Sequence, residues 1–401
     1  MRLPAVLFAV ALLAGSACTG TRAESLDDAP IEWTIQGGRQ PGRVQFEISR
    51  HAGSSTWMMG RTVDLATLQG LSAAELESDT AQVRFRMVRD AGTLECQGVV
   101  RRGRGTGECA FAASESFAAT LGARGIGRPT ANQQFSMALN DIGLAYVAEL
   151  DRLGYDRPRA ADLADAGNHG VTLDYLRGMA GHGYRVGSLA SLIRMRDHGV
   201  TPDYVAALAA HNVRDIAADD VVRLRDHGVD ADFVGELRQL GYGPLPVDAF
   251  IQLRDHGVDA DYIRTLVRHG ISDVPPAELA RMRDHGVTPD FIAALRAQGY
   301  DRADTDQIIR LRDHGVSSDF VGALRAAGYG RFGTDDIIRL RDHGVTGAYL
   351  AELNALGYAG LEADDIARLR DHGVMPDFIR NANRGGGRHT PEELIRLRTG
   401  G

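Results

Sequence analysis

Residues 312–316, Arg-Asp-His-Gly-Val, decide the fold, because this string occurs seven times at a constant spacing. The glycine of one copy is Gly286 and that of the next is Gly315, so the period is 29. A weaker eighth copy, Asn-His-Gly-Val at 168–171, precedes the first copy by the same spacing. A constant period of about 20–50 residues is typical of a solenoid or another repeat array. In such arrays neighbouring repeats share one core, and the exposed surface usually binds a partner.

One unit, residues 288–316, has the pattern of two short helices joined by glycine-ended turns. Thr288 suits an N-cap and Pro289 the first helical position, and apolar residues follow at helical spacing. Gly299 and Gly315 suit the left-handed residue that ends a helix. Helices of roughly ten residues are marginal alone in water, so stacking must hold the repeats together. The pattern therefore predicts an α-helical-hairpin solenoid.

The Asp-His-Gly triplet of each copy supplies the candidate structural residues of the repeat. Histidine beside the terminal glycine can donate to the last carbonyl groups of the helix, whereas aspartate there opposes the helix dipole. We therefore expect each aspartate to have a specific partner, either a neighbouring loop amide or an arginine of the same or the next repeat. The triplets are Asp197, His198, Gly199; Asp226, His227, Gly228; Asp255, His256, Gly257; Asp284, His285, Gly286; Asp313, His314, Gly315; Asp342, His343, Gly344; and Asp371, His372, Gly373.

Geometry argues against a metal shared between the repeated histidines. Stacked helices lie about 8–10 Å apart, whereas each ligand of a zinc ion lies about 2 Å from the metal. A response to pH through partly buried histidines stays open as an alternative. We expect no catalytic residue, cofactor or metal, because Asp and His recur by period and the common hydrolase and phosphate-binding motifs are missing from the sequence.

Residues 30–115 alternate apolar and polar residues, as half-buried strands do. We expect a small antiparallel meander that forms a sandwich or an open barrel, and so an α+β chain overall. The candidate strands lie at 31–35, 44–48, 56–62 and 83–88, with a hairpin at 92–112.

Two features of this β domain bear on ligands and redox state. Trp57 is the aromatic residue expected at the surface, where it is either a ligand-binding residue or a core or edge residue. Cys96 and Cys109 flank the turn-rich stretch 101–105, so they would face each other across a hairpin. In an oxidising compartment they are expected to form a disulfide, and two buried thiols are the alternative.

The N-terminus has the pattern of an export signal. Arg2 precedes an apolar run at 3–13 that is too short to span a bilayer. Cleavage before Cys18 would leave a lipidated cysteine, and cleavage after Ala23 is the alternative. We expect an exported protein in the periplasm or at the outer membrane of a bacterium, in contact with a membrane only through that lipid.

The chain of 401 residues then divides into four parts. These are an export signal at 1–23, the β domain at 30–115, degenerate capping or bridging helices at 116–155 and the repeat array at 156–401. Net charge is −8, so nucleic acid is not an expected partner. All 45 basic residues are arginine, as a GC-rich genome would produce.

The units 311–316, Leu-Arg-Asp-His-Gly-Val, and 327–329, Ala-Gly-Tyr, resemble a repeat of exported bacterial proteins. It is similar to repeats in C-terminal extensions of membrane metallopeptidases of the beta-lactam-sensor type, and the small β domain before it also resembles segments that accompany those repeats. The resemblance covers roughly residues 30–400 and implies an envelope location and a sensing or interaction role. The peptidase is absent, because no histidine here is followed by glutamate.

We therefore expect a non-enzymatic envelope scaffold or sensor that binds protein or peptide partners through the array. Its surface should use loops that vary between repeats, such as 302–303, 331–332 and 243–245. One alternative is a binder of glycan or lipid through the β domain, with the array as a spacer and a pocket lined by Trp57. Another is an enzyme, for which non-periodic polar residues in one cleft would be the sign.

Overall fold

The computed structural model describes residues 29–38, 40–52 and 55–400. The expected export signal, with Cys18, lies outside the described residues. Internal contacts divide the chain into two compact units. Of the described residues, the first comprises those up to Leu176 together with Arg185–Ile193, and the second comprises Arg177–Tyr184 and those from Arg194 onward.

All the candidate strands of the sequence are present. They are β1 Ile31–Gly37, β2 Arg43–Ala52, β3 Ser55–Asp64, β4 Ala81–Arg89, β5 Gly92–Arg101 and β6 Arg104–Ala113.

Helices dominate the rest of the chain. They are α1 Ala73–Glu77, α2 Glu115–Ala123, α3 Ala131–Asn140, α4 Leu144–Leu153, α5 Ala160–Asn168, α6 Leu173–Gly181, α7 Leu189–Asp197, α8 Pro202–Ala210, α9 Ala218–Asp226, α10 Ala231–Gln239, α11 Val247–Asp255, α12 Ala260–Arg268, α13 Pro276–Asp284, α14 Pro289–Ala297, α15 Thr305–Asp313, α16 Ser318–Ala326, α17 Thr334–Asp342, α18 Gly347–Ala355, α19 Ala363–Asp371, α20 Pro376–Ala382 and α21 Pro391–Thr399. Two short 3₁₀ turns lie at Leu65–Thr67 and Asn383–Gly385.

The described strands form a single antiparallel sheet in the order β3-β2-β1-β6-β5-β4. Two three-stranded meanders therefore meet where β1 pairs with β6. This single sheet replaces the expected sandwich or open barrel. The physical reason is that helices α1 and α3, and not a second sheet, pack on β4, β5 and β6 and cover the apolar face.

A fully buried tryptophan, Trp33 of β1, lies at the centre of the covered face. A Cβ atom at Gly98 or Gly107 would come within 2.7 and 2.8 Å of its indole. The ring Nε1 donates a hydrogen bond to the carbonyl oxygen of Gln97 at 3.1 Å. Glycine inside a strand marks a close approach of another group, and here the two glycines make room for the indole.

Trp57 of β3 is not the surface aromatic that was expected. Its side chain is half-buried, and its ring centroid lies 5.8 Å from that of Phe135 in α3. Phe135 also contacts Phe111 of β6 at 5.3 Å. Trp57 is therefore an edge residue that packs on a helix. The strand pattern alone did not indicate this contact, because α3 is distant from Trp57 in the sequence.

Cys96 of β5 and Cys109 of β6 are directly opposed in the hairpin. Their Sγ atoms are 1.98 Å apart, which is the distance of a disulfide bond. The pair joins two neighbouring inner strands of the sheet.

The helices of the unit 288–316 begin and end where its capping residues stand. The hydroxyl of Thr288 accepts a hydrogen bond from the backbone N–H of Phe291 at 3.2 Å, which caps α14. Gly299 has φ +90° and Gly315 has φ +71°, so each takes the left-handed conformation that follows a helix. Both predicted helices, α14 and α15, are confirmed at nine residues each.

In the second unit the short helices form two stacks. Helices with even numbers contact one another in order from α8 to α20, and odd-numbered helices do so among α9–α13 and among α15–α21. We call these stacks the even layer and the odd layer. Each helix therefore covers the equivalent helix of the next repeat, which gives the continuous core that the short period requires.

The repeat positions also extend back into the segment that was expected to hold capping helices. Asp141 lies one full period before Gly170, and both have positive φ, +58° and +71°. Asp141 thus takes the place of the repeat glycine. Further back, Ser114 caps α2 by accepting from the N–H of Phe117 at 3.2 Å, at positions equivalent to Thr288 and Phe291.

Candidate interaction surface of the repeat array

The arginine of the Arg-Asp-His-Gly motif lies over an aromatic ring and bonds the glycine carbonyl of the preceding motif. The guanidinium of Arg312 lies 5.0 Å from the ring centroid of Phe291. Its Nε donates to the carbonyl oxygen of Gly286 at 2.9 Å, and its Nη1 donates to that of Val316 at 3.1 Å. A cation over an aromatic face is stabilising when both are partly desolvated. The contact with an aromatic ring recurs at Arg225–Tyr204, Arg254–Phe233, Arg283–Tyr262, Arg341–Phe320 and Arg370–Tyr349, and Arg398, which lies outside the motif, is placed in the same way over Phe378.

The aspartate and histidine of the motif pair with each other across repeats. Nδ1 of His285 lies 2.6 Å from Oδ1 of Asp313 in the next repeat, with both side chains partly exposed. We call this row of contacts the His–Asp ladder. Its other rungs are His198–Asp226 at 2.7 Å, His227–Asp255 at 2.8 Å, His256–Asp284 at 2.6 Å, His314–Asp342 at 2.8 Å and His343–Asp371 at 2.8 Å.

The prediction that each repeated aspartate pairs with a loop amide or an arginine was therefore wrong. Along the ladder, the contact of each aspartate is neither a loop amide nor an arginine but the histidine of the preceding motif. The carboxylate can accept from the imidazole Nδ1–H, so the acid at the unfavourable helix end is stabilised by hydrogen bonding to the neighbouring repeat. Each His–Asp pair joins two neighbouring repeats. The described residues contain no group of three or more His, Cys, Asp or Glu that could hold a metal.

A second row of polar contacts follows the exposed side of the odd layer. Arg223 of α9 donates to Asp248 of α11 at 2.6 Å and to Asp220 of its own helix at 3.0 Å. These hydrogen bonds raise the pKa of the Arg223 guanidinium above its usual value. We call the contacts between helices the Arg–Asp ladder. Its other rungs are Arg194–Asp219, Arg281–Asp306, Arg310–Asp335, Arg339–Asp364 and Arg368–Glu392.

The Arg–Asp ladder lacks its rung between α11 and α13. Gln252 stands where the other helices carry the arginine, and Ala277 stands where the acceptor acid would be. Ala249 replaces the acid that would pair with the arginine within the helix. All three members of the interaction are neutral together, so no charge is left without a partner at this place.

The variable loops that were expected to form the binding surface contribute much of their length to the core. Ala303 and Phe332 are 9% and 4% exposed. Arg331 is exposed but bonded, since it donates to Glu362 at 2.8 Å and to the carbonyl oxygen of Gly360 at 2.9 Å. The apolar residue of each of these two loops is therefore part of the core, and the ring of Phe332 stacks on that of Tyr329 with centroids 5.5 Å apart. The third loop, 243–245, keeps Gly243 and Pro244 exposed.

The β domain carries a polar groove on the face opposite Trp33. The groove has a volume of about 670 Å³ and crosses β4, β5 and β6, with Arg84, Arg86, Glu95, Gln97 and Glu108 among its walls. Within the described residues, these charged side chains make no ion pair or side-chain hydrogen bond with one another or with other groups. Trp57 does not line the groove, and it was the residue named as the sign of a ligand pocket.

Comparison with protein-family models and with curated protein sequences finds no match for this chain. Among the described residues, none of the helices combines the length and the apolar character needed to cross a lipid bilayer.

Proposed function

We propose that this chain is a non-enzymatic scaffold or sensor of the bacterial cell envelope that binds protein or peptide partners through its repeat array. The observation that carries the proposal is the use of the repeated Arg, Asp and His side chains. Arg312, His285 and Asp313 all bind neighbouring repeats. Catalysis needs polar groups that converge on one reacting atom, whereas these groups are spread along the array at one pair per repeat.

An envelope location fits several features of the chain. Arg2 and the apolar run at 3–13 have the pattern of an export signal. Disulfides persist in oxidising compartments, and Cys96 and Cys109 lie at disulfide distance. The resemblance of the repeat to extensions of beta-lactam-sensor-type metallopeptidases supports the same location and an interaction role.

A second candidate function rests on the polar groove of the sheet. Its charged residues Arg84, Arg86, Glu95 and Glu108 favour a polar ligand such as a glycan over a lipid, with the array as a spacer. The groove is also a cleft where non-periodic polar residues cluster, which was the sign named for an enzyme. It carries no serine, cysteine thiol or histidine among its described lining residues, since Cys96 and Cys109 are joined to each other.

Photocrosslinking in the native envelope tests the scaffold against these alternatives. The photoreactive residue p-benzoylphenylalanine is placed in the full-length chain at exposed array positions, Ala277, Ala326 and Ala359, and at exposed groove positions, Gln97 and Thr106. A scaffold gives a discrete protein adduct from at least one array position. Adducts from the groove positions alone, or adducts that contain glycan or lipid, would move the function to the β domain.

The full-length chain is the appropriate material for this test. A truncation near residue 130 would remove α2, whose cap belongs to the repeat pattern, and would separate α3 from the strands on which it packs. Loss of binding by such a fragment would report unfolding and not the location of the surface.

A further inference from the structure

A row of aligned polar side chains crosses the exposed face of the sheet. In the strand register Arg84 of β4 lies opposite Gln97 of β5, which in turn lies opposite Glu108 of β6. All three are exposed, whereas their chain neighbours Phe85 and Cys96 are buried. Since side chains alternate between the two faces of a sheet, the three stand side by side on the face away from the core. We call Arg84, Gln97 and Glu108 the polar row.

The polar row lies between two hollows of this face. It lines the groove described above and also an adjoining hollow of about 840 Å³. Gln69 and Glu75, which precede β4, line one hollow each, and Gln69 exchanges backbone hydrogen bonds with Arg86 at 2.9 Å. The row therefore has open space on both sides, in which a small molecule can lie.

The charges of the row are not neutralised within the described part of the chain. Arg84 and Glu108 make no ion pair or side-chain hydrogen bond there. Glu108 lies directly opposite a second acid, Glu32 of β1, whose carboxylate is 3.7 Å from the His51 imidazole. Like charges directly opposite each other destabilise a sheet. A cation bound at Glu108 would remove this repulsion, and an anion bound at Arg84 would pair with the guanidinium.

The spacing of the two charges selects the length of a ligand that carries both counter-charges. Neighbouring strands lie about 4.8 Å apart, so the backbones at Arg84 and Glu108, two strands apart, are separated by about 10 Å. Three residues of an extended peptide span about 10 Å, whereas two residues span only about 7 Å. A tripeptide presents a carboxylate, amide groups and an ammonium in the order that complements the guanidinium, amide and carboxylate of the row.

We propose that the polar row binds a linear tripeptide by its free termini. Arg84, with Arg86 beside it on the same strand, binds the terminal carboxylate, because a guanidinium can hold a carboxylate through two parallel hydrogen bonds. Gln97 bonds the central peptide group, and Glu108 binds the terminal ammonium. This site goes beyond the scaffold function and does not depend on it.

Other classes of ligand fit the polar row less well. A neutral glycan would cover Arg84 and Glu108 without supplying a counter-charge to either, which is unfavourable. A nucleic acid or an anionic glycan carries repeated negative charge, and it would meet the carboxylates of Glu95 and Glu108 beside the arginines. A single amino acid is too short to reach both ends of the row.

Titration of the full-length chain with trialanine, followed by ligand-observed NMR, tests the site. N-acetyl-trialanine and trialanine amide each lack one terminal charge, and dialanine is too short. We expect trialanine to bind and each of the other three peptides to bind at least about tenfold more weakly, because each loses a hydrogen bond between charged groups. Equal affinity for all four peptides, or no saturable binding of trialanine, overturns the proposal.

Two substitutions then assign the ends of the peptide. Arg84→Gln should weaken the binding of trialanine about tenfold and leave the already weak binding of trialanine amide unchanged. Glu108→Gln should have the same effect on trialanine and leave N-acetyl-trialanine unchanged. The controls Arg101→Gln and Glu77→Gln alter exposed residues of the β domain that line neither hollow, and they should keep the affinity of the unchanged chain.

The contrary outcomes separate the row from a general effect of charge. If the controls lose as much affinity as Arg84→Gln and Glu108→Gln, binding follows net charge and the polar row is wrong. If Arg84→Gln weakens trialanine and its amide alike, the guanidinium does not hold the carboxylate and the proposal is also wrong. Thermal melting of each variant verifies that the chain is folded. None of these results alters the photocrosslinking test of the array, so the scaffold is judged separately.

Discussion

At the scale of single residues, the repeat is held by groups whose partners lie almost one period away. His285 reaches Asp313 and Arg312 reaches Gly286, so each motif residue binds the adjoining copy of the same motif. The sequence predicted where the motif residues recur and that the aspartates need partners. It did not identify the histidine as that partner, because a single copy of the motif places Asp and His side by side on one helix end.

Gly286 tests the left-handed turn that ends α13. Its φ is +70°, and a Cβ there would lie 3.5 Å from Nη2 of Arg312. Gly286→Val should therefore lower the free energy of unfolding by more than about 1 kcal/mol. Gly322 inside α16 is the control, since a Cβ there meets nothing within 4 Å and Gly322→Ala should stabilise by about 0.5–1 kcal/mol. An unchanged Tm in Gly286→Val would contradict the left-handed conformation of Gly286.

Two tyrosines at equivalent positions of the repeat differ in hydrogen bonding, so replacing each by Phe should change stability by different amounts. Tyr204 donates its hydroxyl to the carbonyl oxygen of Val229 at 2.6 Å, whereas the buried hydroxyl of Tyr262 has no partner among the described residues. Tyr204→Phe should cost about 1 kcal/mol, and Tyr262→Phe should be neutral or slightly stabilising. Denaturant unfolding measures both, and equal losses would contradict this reading.

Deprotonation of the same two tyrosines should make the folded chain less stable at alkaline pH. Burial raises the pKa of Tyr204 and of Tyr262 to about 12, against about 10 in an unfolded chain. Below pH 10 both states keep the proton and stability does not change. Between pH 10 and 12 the unfolded chain releases the proton first, so stability falls as pH rises. Tyr262→Phe should reduce the slope of Tm against pH in this window, and an unchanged slope would contradict it.

At the scale of elements, the sequence predicted the strands and the nine-residue helices well, since both follow from local periodicity and capping. It did less well where distant segments meet. Trp57 packs on Phe135 of α3, and Trp33 fills the space left by Gly98 and Gly107. Asp141 has the positive φ of the repeat glycine although its residue type differs, so counting by the repeat period locates this position better than matching residue letters.

Completing the Arg–Asp ladder tests whether its rungs stabilise the stack. Gln252→Arg with Ala277→Asp should raise Tm slightly, because it adds one ion pair between α11 and α13 in an existing row. Either substitution alone should give no gain, since the new charge has no partner in the other helix. A double-mutant cycle at low and high salt measures the coupling. Zero coupling at low salt would show that the rungs contribute nothing to the stack.

At the scale of the whole molecule, the period predicted the array and the alternation of polar and apolar residues predicted the β domain. The sequence could not show that the domain is one sheet with a helical layer, because that depends on which segments cover the apolar face. The degenerate helices that the sequence predicted before the array also keep the repeat positions, since the cap from Ser114 to Phe117 persists where the motif letters have diverged.

The Cys96–Cys109 pair connects the whole molecule to its compartment. Protein isolated from the native envelope should have no free thiol at these residues before reduction. Removing the bond, which spans 13 residues, should lower stability by about 3 kcal/mol on the loop-entropy estimate. Thiol labelling with and without reductant, followed by denaturant unfolding, measures both. Free thiols in the native protein would contradict an oxidising location.

The measurement that tests the central claim most directly is the affinity of the full-length chain for the protein that it captures. Two variants are compared with the unchanged chain: Gly286→Val, which disturbs the stack, and Arg84→Ala with Arg86→Ala, which removes the cations of the groove. The scaffold account predicts that Gly286→Val loses most of the affinity and that the groove variant keeps it. Retained affinity in Gly286→Val together with loss in the groove variant would contradict the account and assign binding to the sheet.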